Sequence, residues 1–354
     1  MPAAGVGRHR GDTMRDKSQT FLLFACCVPV LGARRSTVCD LQRQTFRFIP
    51  NGLYEILTEH RGKTVAEIEE AYHHEFDEEI AEYFDFLAAQ ELGFWCDDPG
   101  CFPEIDLTWQ TPERITHAIL DVDAESAHDF ARIFSELDDL GCKALQIRFY
   151  HAVGLGELER VLELARLGRL RSVDLLVRHG DEMVLDDLER LARRHARVSS
   201  VVVHSAPRDQ VQAMPGGTVI SFRTASVDSP GCCGEVHPGY FSINLSCFSE
   251  AQKHNTCLNR KISVDSRGEI KNCPSMLRSF GNIRETSLHS ALAHRDFREL
   301  WSINKDQIDI CKDCEFRYIC TDCRAYIQEP QNNHSKPSKC GYDPYHATWK
   351  SPAG

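Results

Sequence analysis

Seven cysteines in the last third of the chain have a spacing that suits metal binding. Cys257 is followed by ten residues, then Gly268, then four residues and Cys273. A tight run with Cys-x2-Cys-x5-Cys-x2-Cys spacing comes later, and a seventh cysteine lies downstream. The run and the last cysteine are Cys311, Cys314, Cys320, Cys323 and Cys340. An iron–sulfur cubane needs four thiolates in one small volume, and a Cys-x-x-Cys turn supplies two of them from one loop.

Disulfides and zinc are the alternative uses of these cysteines. The chain has 16 cysteines, ten of them between Cys232 and Cys340. Disulfides are disfavoured in the reducing cytosol, where we expect the protein. Two Cys-x-x-Cys pairs could bind one zinc ion, although a five-residue gap is shorter than the usual zinc-ribbon gap. We favour iron–sulfur clusters and keep zinc as the alternative. The cysteines without such spacing are expected to be buried small hydrophobes: Cys26, Cys27, Cys39, Cys96, Cys101 and Cys142.

Composition limits the partners of the chain. Its 354 residues are 42% apolar, which is enough for two or three domains with buried cores. Its net charge of −11 argues against binding to nucleic acid or to an acidic membrane, which needs clustered Lys and Arg. The apolar run at 21–31 is too short to span a bilayer, and Asp16 argues against a signal peptide. We therefore expect a cytoplasmic protein with no nucleic-acid or membrane partner, in which residues 1–13 are a loose tail and Met14 is a candidate start.

The elements that must position the cysteines fall into three zones. In residues 14–100, three short strands at 21–30, 35–40 and 45–49 precede three helices, which is a winged-helix-like layout. Asn51 is the predicted N-cap of the first helix, Thr64 begins a capping box for the second, and Gly93 is the predicted C-cap of the third.

The middle zone, residues 105–230, alternates strands and helices. The predicted strands are 115–121, 144–150, 172–177, 199–204 and 218–222, and the predicted helices are 127–140, 158–167 and 185–195. Helical crossovers imply parallel strands, so we predict a partial α/β barrel. The last zone, residues 232–345, has one predicted helix at 288–301. It also has a predicted hairpin at 262–270, which would bring Cys257 and Cys273 together. We expect metal to hold this zone together.

The seven-cysteine pattern resembles the SPASM domain, which in its family binds two auxiliary [4Fe–4S] clusters and closes many radical enzymes that modify peptides. The resemblance implies one cluster on Cys311, Cys314, Cys320 and Cys340. It implies a second cluster on Cys257, Cys273 and Cys323, with Cys247 as the candidate fourth ligand. The pattern departs from the family in one place, because two residues, Thr321 and Asp322, lie where the family usually has three.

The middle zone is similar to a radical S-adenosylmethionine (radical SAM) core, but it lacks that core's cluster site. In the family, a Cys-x3-Cys-x2-Cys loop after the first strand leaves one iron open to S-adenosylmethionine. The corresponding loop here, residues 121–128, contains no cysteine, and the triad occurs nowhere in the chain. We therefore predict no adenosyl-radical chemistry and assign no catalytic residue. Asp121, Asp123, Glu125 and His128 could bind another metal, but we expect solvated loop and helix-start charges there.

Residues 21–96 resemble the RiPP recognition element, a winged-helix-like domain that binds the leader of a ribosomally made precursor peptide. The resemblance lies in the strand-to-helix junction at 46–57. It implies that the leader pairs with the third strand and lies along the third helix, by β-augmentation. Winged helices also bind DNA, but residues 62–91 hold ten acidic residues and a single lysine, Lys63, a surface that repels phosphate. A structural cap for the barrel is the other alternative.

The order of the three zones most resembles the SPASM protein of grasp-with-spasm systems, over residues 21–345. The most specific part runs from 257–261 to 271–276. This resemblance implies maturation of a ribosomally made peptide beside an ATP-grasp ligase. The chain has no glycine-rich phosphate loop, so we do not expect it to bind ATP itself. We favour a scaffold that presents the precursor peptide to the ligase, and keep a redox enzyme acting through its clusters as the alternative.

Overall fold

The computed structural model describes residues 16–166, 168–181 and 183–350. The predicted tail at 1–13, the candidate start Met14 and the last residue of the helix predicted at 158–167 lie outside these residues. The chain forms two units, one of residues up to Asp106 with Ile243–Leu245, and the other of Leu107–Ser242 with the chain from Ser246 onward. The fold is mixed α/β with a large, mostly parallel sheet. The winged-helix-like module, the partial barrel and the boundaries 14–100, 105–230 and 232–345 stay predictions.

The first unit has two small antiparallel sheets and three helices. One sheet pairs β1 (Thr20–Leu23) with β5 (Gly93–Cys96). The other has β2 (Cys27–Val30), β3 (Ser36–Asp40) and β4 (Thr45–Ile49) in that order, so that β4 forms one edge. The helices are α1 (Asn51–Glu59), α2 (Val65–Ala71) and α3 (Asp77–Ala89). Apolar residues of the strands and helices share one core.

Two predictions in this unit have opposite outcomes. The capping box is confirmed, because the Thr64 hydroxyl accepts from the Glu67 N–H while the Glu67 carboxylate accepts from the Thr64 N–H. The single strand predicted at 21–30 is wrong in extent. A turn, in which the Cys27 N–H donates to the Phe24 carbonyl at 2.7 Å, separates β1 from β2.

Two predicted helix caps are wrong. Pro50 is the N-cap of α1, and the Asn51 amide instead donates to the Gly32 carbonyl at 3.0 Å. Gly93 starts β5 and does not cap α3. The strand pairing leaves no room for a side chain there, because a Cβ on Gly93 would lie 2.2 Å from the Leu22 carbonyl oxygen.

The second unit is built on a sheet of eight strands. These are β6 (His117–Val122), β7 (Ala144–Ala152), β8 (Ser172–Arg178), β9 (Val198–His204), β10 (Gln210–Ala213), β11 (Val219–Phe222), β12 (Lys261–Val264) and β13 (Ile270–Lys271). Across the sheet the order is β10-β11-β9-β8-β7-β6-β12-β13. The six strands from β11 to β12 in this order are parallel to one another. At the two edges of the sheet, β10 pairs antiparallel with β11 and β13 pairs antiparallel with β12. The predicted parallel strands are therefore confirmed.

Helices connect the parallel strands and pack on the sheet. They are α4 (Phe130–Asp139), α5 (Leu155–Ala165) and α6 (Leu185–Arg194). In β7, Leu145, Ile147 and Phe149 join the core that these helices share. Arg148 and Tyr150 lie on the opposite face, because successive side chains of a strand alternate between faces. That second face carries the polar groups next to the cysteines.

The cysteine-rich zone shares this sheet. β12 pairs in parallel with β6, and β13 folds back on β12, which confirms the predicted hairpin. The sheet therefore continues across the predicted boundary at 230–232. Beyond it lie α7 (Leu245–Ala251), α8 (Leu288–Ala293) and the pair β14 (Tyr342–Asp343) and β15 (Thr348–Trp349).

The helix predicted at 288–301 is wrong in extent. Its backbone becomes extended at His294, where α8 stops, and a 3-10 helix at Arg295–Ser302 follows. Among the residues described, no helix combines the length and the apolar character needed to cross a membrane.

Candidate metal centre

The β12–β13 hairpin positions the first group of cysteines. Gly268 turns the hairpin with φ of 88°, a conformation that favours glycine. Cys257 precedes β12 and Cys273 follows β13, so the antiparallel pairing brings them to the same end of the hairpin. Burial raises the pKa of Cys257 to about 12. Lys261 opposes this shift, while the charges of Cys273, Cys323 and Cys233 add to it.

Cys233 belongs to this neighbourhood although its spacing gave no prediction. A Cβ on the adjacent Gly234 would lie 2.9 Å from the Cys323 sulfur, so this loop approaches Cys323 closely. Lys339 Nζ donates to the Cys233 carbonyl at 2.6 Å. The Ser275 hydroxyl donates to the Pro230 carbonyl at 3.1 Å. Both contacts hold the loop against the segments that carry the other cysteines.

The sequence offered one weak signal for this position. Cys233 directly precedes Gly234, whose φ of 88° marks a backbone turn that favours glycine. The residue proposed earlier for this place, Cys247, lies on α7, and its role as a ligand stays a prediction.

A 3-10 turn at Cys311–Asp313 positions the second group. The Cys314 N–H donates to the Cys311 carbonyl at 3.0 Å, which places both sulfurs on one tight turn. Burial raises the pKa of Cys311 to about 11. Lys305 opposes this shift, while Asp322, Cys320 and Cys340 add to it. The charge of Cys320 also acts on Cys314. The four cysteines predicted to share a cluster are thus electrostatic neighbours.

The spacing of the sulfurs bears on the choice between zinc and a cubane. Four thiolates at 2.3 Å from a tetrahedral zinc ion lie about 3.8 Å from one another. A cubane binds each thiolate through a different iron and holds the sulfurs further apart. In the described part of the chain, two sets of three or more metal-ligating atoms lie within 4.8 Å of one another, and neither set includes a cysteine of the two groups. Among the described residues the cysteines of the two groups therefore form no set of three as closely spaced as zinc ligands, and the choice of iron–sulfur clusters over zinc stays a prediction. The two sets are Cys26 with Cys27 and Asp40, and Glu69 with His74 and Asp77.

A buried nitrogen beside the first group lacks an acceptor. Arg148 Nε donates to Asp121 Oδ1 at 2.6 Å, and the Tyr150 hydroxyl donates to Asp121 Oδ2 at 3.0 Å. Arg148 Nη2 is buried and has no hydrogen-bond partner among the described residues. The charge of Cys273 acts on this guanidinium. Buried donors are almost always paired, so an anionic cluster on Cys273 would supply the missing acceptor, and the residues present fit such a group.

The loop after β6 makes ordinary loop contacts. Asp121 is engaged by Arg148 and Tyr150. Asp123 Oδ1 accepts from the Ser126 hydroxyl at 3.0 Å, and His128 Nε2 lies 2.8 Å from the Asp121 carbonyl oxygen. None of the closely spaced sets of ligating atoms in the described residues includes Asp121, Asp123, Glu125 or His128. These contacts support a structural loop over a metal site.

Comparison with known proteins finds a family match in the cysteine-rich region. The SPASM family, described as an iron–sulfur cluster-binding domain, matches residues 256–315. That stretch contains Cys257, Cys273, Cys311 and Cys314. No curated protein matches the chain. Two crystal structures of Streptococcus suis SuiB also match. The one bound to S-adenosylmethionine has a TM-score of 0.40 and 10% identity, covering 90% of this chain and 99% of that chain. The one bound to the precursor peptide SuiA has a TM-score of 0.38 and 8% identity, with the same coverage of 90% and 99%.

Proposed function

We propose that this chain binds two [4Fe–4S] clusters and takes part in the maturation of a ribosomally synthesised peptide. In this role it binds the precursor leader and assists an ATP-grasp ligase. The observation that carries the proposal is the pair of cysteine groups, four of whose members lie in a region matching a known iron–sulfur domain: Cys257, Cys273, Cys311 and Cys314. Adenosyl-radical chemistry is not part of it, because the chain has no Cys-x3-Cys-x2-Cys triad.

The first cluster would use Cys233 in place of Cys247, and the second would use the four cysteines predicted for it. Each iron then has its own cysteine ligand, so neither cluster has an open coordination site. A bound cluster of this kind supplies one-electron transfer and cross-links the chain. The proposed ligands are Cys233, Cys257, Cys273 and Cys323 for the first cluster, and Cys311, Cys314, Cys320 and Cys340 for the second.

The edge strand β4 supports the proposed leader-binding role. Arg47 Nε donates to Gln90 Oε1 at 2.8 Å, which ties β4 to the C-terminal end of α3. Phe48 on β4 is 41% exposed. An extended leader peptide adding to this edge would make backbone hydrogen bonds with β4 and bury apolar side chains against Phe48. The acidic surface of α3 argues against DNA in the same place.

A labelled precursor peptide, encoded beside this chain, tests that role by fluorescence anisotropy. Phe48→Ser is expected to weaken binding about tenfold or more, because it removes apolar contact at the strand edge. The matched control is Phe102→Ser. Phe102 is 43% exposed and lies on neither β4 nor α3. Equal weakening by both variants would contradict leader binding at β4.

The ATP-grasp partner is proposed from the order of the zones. Since this chain has no glycine-rich phosphate loop, a separate ligase would bind ATP. Crosslinking of the ligase to the precursor peptide, with and without this chain, tests the scaffold role. Crosslinking that is unchanged when this chain is omitted would contradict it.

A redox enzyme is the second candidate, and one observation favours it. Cys233 is exposed, so a cluster on this residue would reach the protein surface, where a bound peptide could exchange electrons with it. A redox role predicts that the double variant Cys232→Ala with Cys233→Ala abolishes peptide modification while precursor binding is unchanged. A scaffold role predicts that modification survives wherever precursor and ligase still bind.

Metal analysis of anaerobically purified protein tests the clusters themselves. About eight irons per chain with matching acid-labile sulfide would support two cubanes. Zinc without sulfide would overturn them and leave a zinc-stabilised scaffold as the function.

A further inference from the structure

Each group of cysteines has a buried lysine beside one of its sulfurs. Lys261 is 5% exposed, and its Nζ lies 3.5 Å from the Cys257 sulfur. Lys305 is 6% exposed, and its Nζ lies 3.4 Å from the Cys320 sulfur. The first lysine lies on β12, and the second begins a short 3-10 helix at Lys305–Gln307. Two unrelated parts of the chain therefore each place a buried ammonium group beside a cysteine sulfur.

A buried ammonium is costly unless a negative charge is close. Lys271, another buried lysine of this region, meets that need with the Asp265 carboxylate at 2.8 Å. For Lys261 the opposing negative charges are those of Cys257, Cys273 and Cys233, and the Cys257 sulfur lies 3.5 Å from its Nζ.

Lys305 has a similar environment. The negative charges acting on it are those of Cys320, Cys311 and Asp322, and its Nζ also lies 3.4 Å from the Thr321 carbonyl oxygen. Asp322 is itself paired with Arg324 at 2.6 Å, so part of its charge is already balanced. The thiolates of the cysteine group are the main charges left to balance this lysine.

We propose that Lys261 raises the reduction potential of one iron–sulfur cluster, and that Lys305 raises the reduction potential of the other. This inference rests on the two clusters of the proposed function. Reduction adds one negative charge to a cluster that four thiolates already make anionic. A fixed ammonium group a few ångströms away stabilises the reduced form more than the oxidised form. Replacing the lysine with an uncharged side chain of similar length must therefore make that cluster harder to reduce.

The test is a redox titration of the anaerobically purified full chain, followed by electron paramagnetic resonance. Lys261→Met is expected to lower the reduction equilibrium constant of one cluster about tenfold or more, which is 59 mV for a one-electron couple. The other cluster stays within about threefold of the wild type. Lys305→Met is expected to shift the second cluster and spare the first, so each variant is the control for the other. Lys261→Arg and Lys305→Arg keep the charge and are expected to keep both potentials.

The outcomes separate this inference from the proposed function. Wild-type protein without iron and sulfide would overturn both, before any variant is made. If the wild-type protein has two clusters and both Met variants leave their potentials unchanged, the inference alone is overturned. It is also overturned if the Met and Arg variants behave alike. Where a Met variant loses its cluster, iron per chain decides the case. Loss of about four irons in the Met variant but not in the Arg variant supports charge balance, whereas loss in both contradicts it.

Discussion

Replacing Cys233 with alanine is expected to remove one cluster and leave the other in place. The structure puts Cys233 among the charges acting on Cys257, next to Gly234, where an added Cβ would lie 2.9 Å from the Cys323 sulfur. The second group of cysteines is bound by other segments of the chain. Iron should therefore fall from about eight to about four per chain, with sulfide falling in parallel.

The matched control for this variant is Cys247→Ala, which removes the ligand first considered from the sequence. We expect it to keep about eight irons per chain. Cys232 is exposed and precedes Cys233, so its thiol could replace the missing ligand in the single variant. The double variant Cys232→Ala with Cys233→Ala excludes that substitution, and Cys232→Ala alone should keep the full iron content.

The assay is iron and sulfide content, with the electron paramagnetic resonance spectrum of the reduced protein. One of two signals should disappear in the Cys233 variants. If Cys247→Ala loses about four irons while the double variant keeps about eight, our reading of the loop is wrong and Cys247 is the fourth ligand.

Three further predictions follow from buried charges and exposure. Burial raises the pKa of Glu250 from 4.5 to about 7, so the folded protein should lose up to about 3 kcal/mol of stability as pH rises from 4.5 to 7. Glu250→Gln keeps an acceptor for Asn259 and should flatten this dependence in anaerobic thermal unfolding; an unchanged slope would contradict the assignment. Arg148→Met leaves the buried Asp121 carboxylate without a cationic partner and should cost about 3–5 kcal/mol in denaturant unfolding. Arg178→Met, in an exposed pair with Asp228, should cost less than about 1 kcal/mol. Loss of iron to a chelator in air should be biphasic, with about half of the iron lost in the first phase. The reason is that Cys233 is exposed while Cys311 and Cys320 are buried. A single phase would contradict the difference between the two sites.

Local patterns were sufficient for much of the fold. The alternation of strands and helices between 115 and 222 was visible in the sequence, because the spacing of apolar residues can be seen within each short segment. The capping box at Thr64 and the turn at Gly268 were visible for the same reason. The pairing of β12 with β6 was not visible, because no local pattern shows which distant strand pairs with a given strand of the sheet. The length of the helix after Leu288 was also missed, because the break at His294 leaves the apolar pattern unchanged.

The cysteine site shows the same limit. Regular spacing singled out seven cysteines, because turns and a hairpin bring such residues together locally. Cys233 has no such spacing. Its position depends on tertiary contacts, those of Lys339 with its carbonyl and of Ser275 with Pro230, and the glycine that follows it in the sequence is only a weak signal. The buried lysines were missed for a similar reason, since a lysine in sequence gives no sign that its ammonium group will be buried beside a sulfur.

The buried charges on the polar face of the sheet, near the end of β6, fit the proposed first cluster. Asp121, Arg148 and Tyr150 form a buried network there, and a buried network is costly unless every charge and donor is matched. Arg148 Nη2 has no acceptor in the described part of the chain, and the charge of Cys273 acts on the same guanidinium. An anionic cluster on the first group of cysteines would complete the network. In the proposed assignment, this face therefore serves the first cluster, and the charge of that cluster matches the buried arginine.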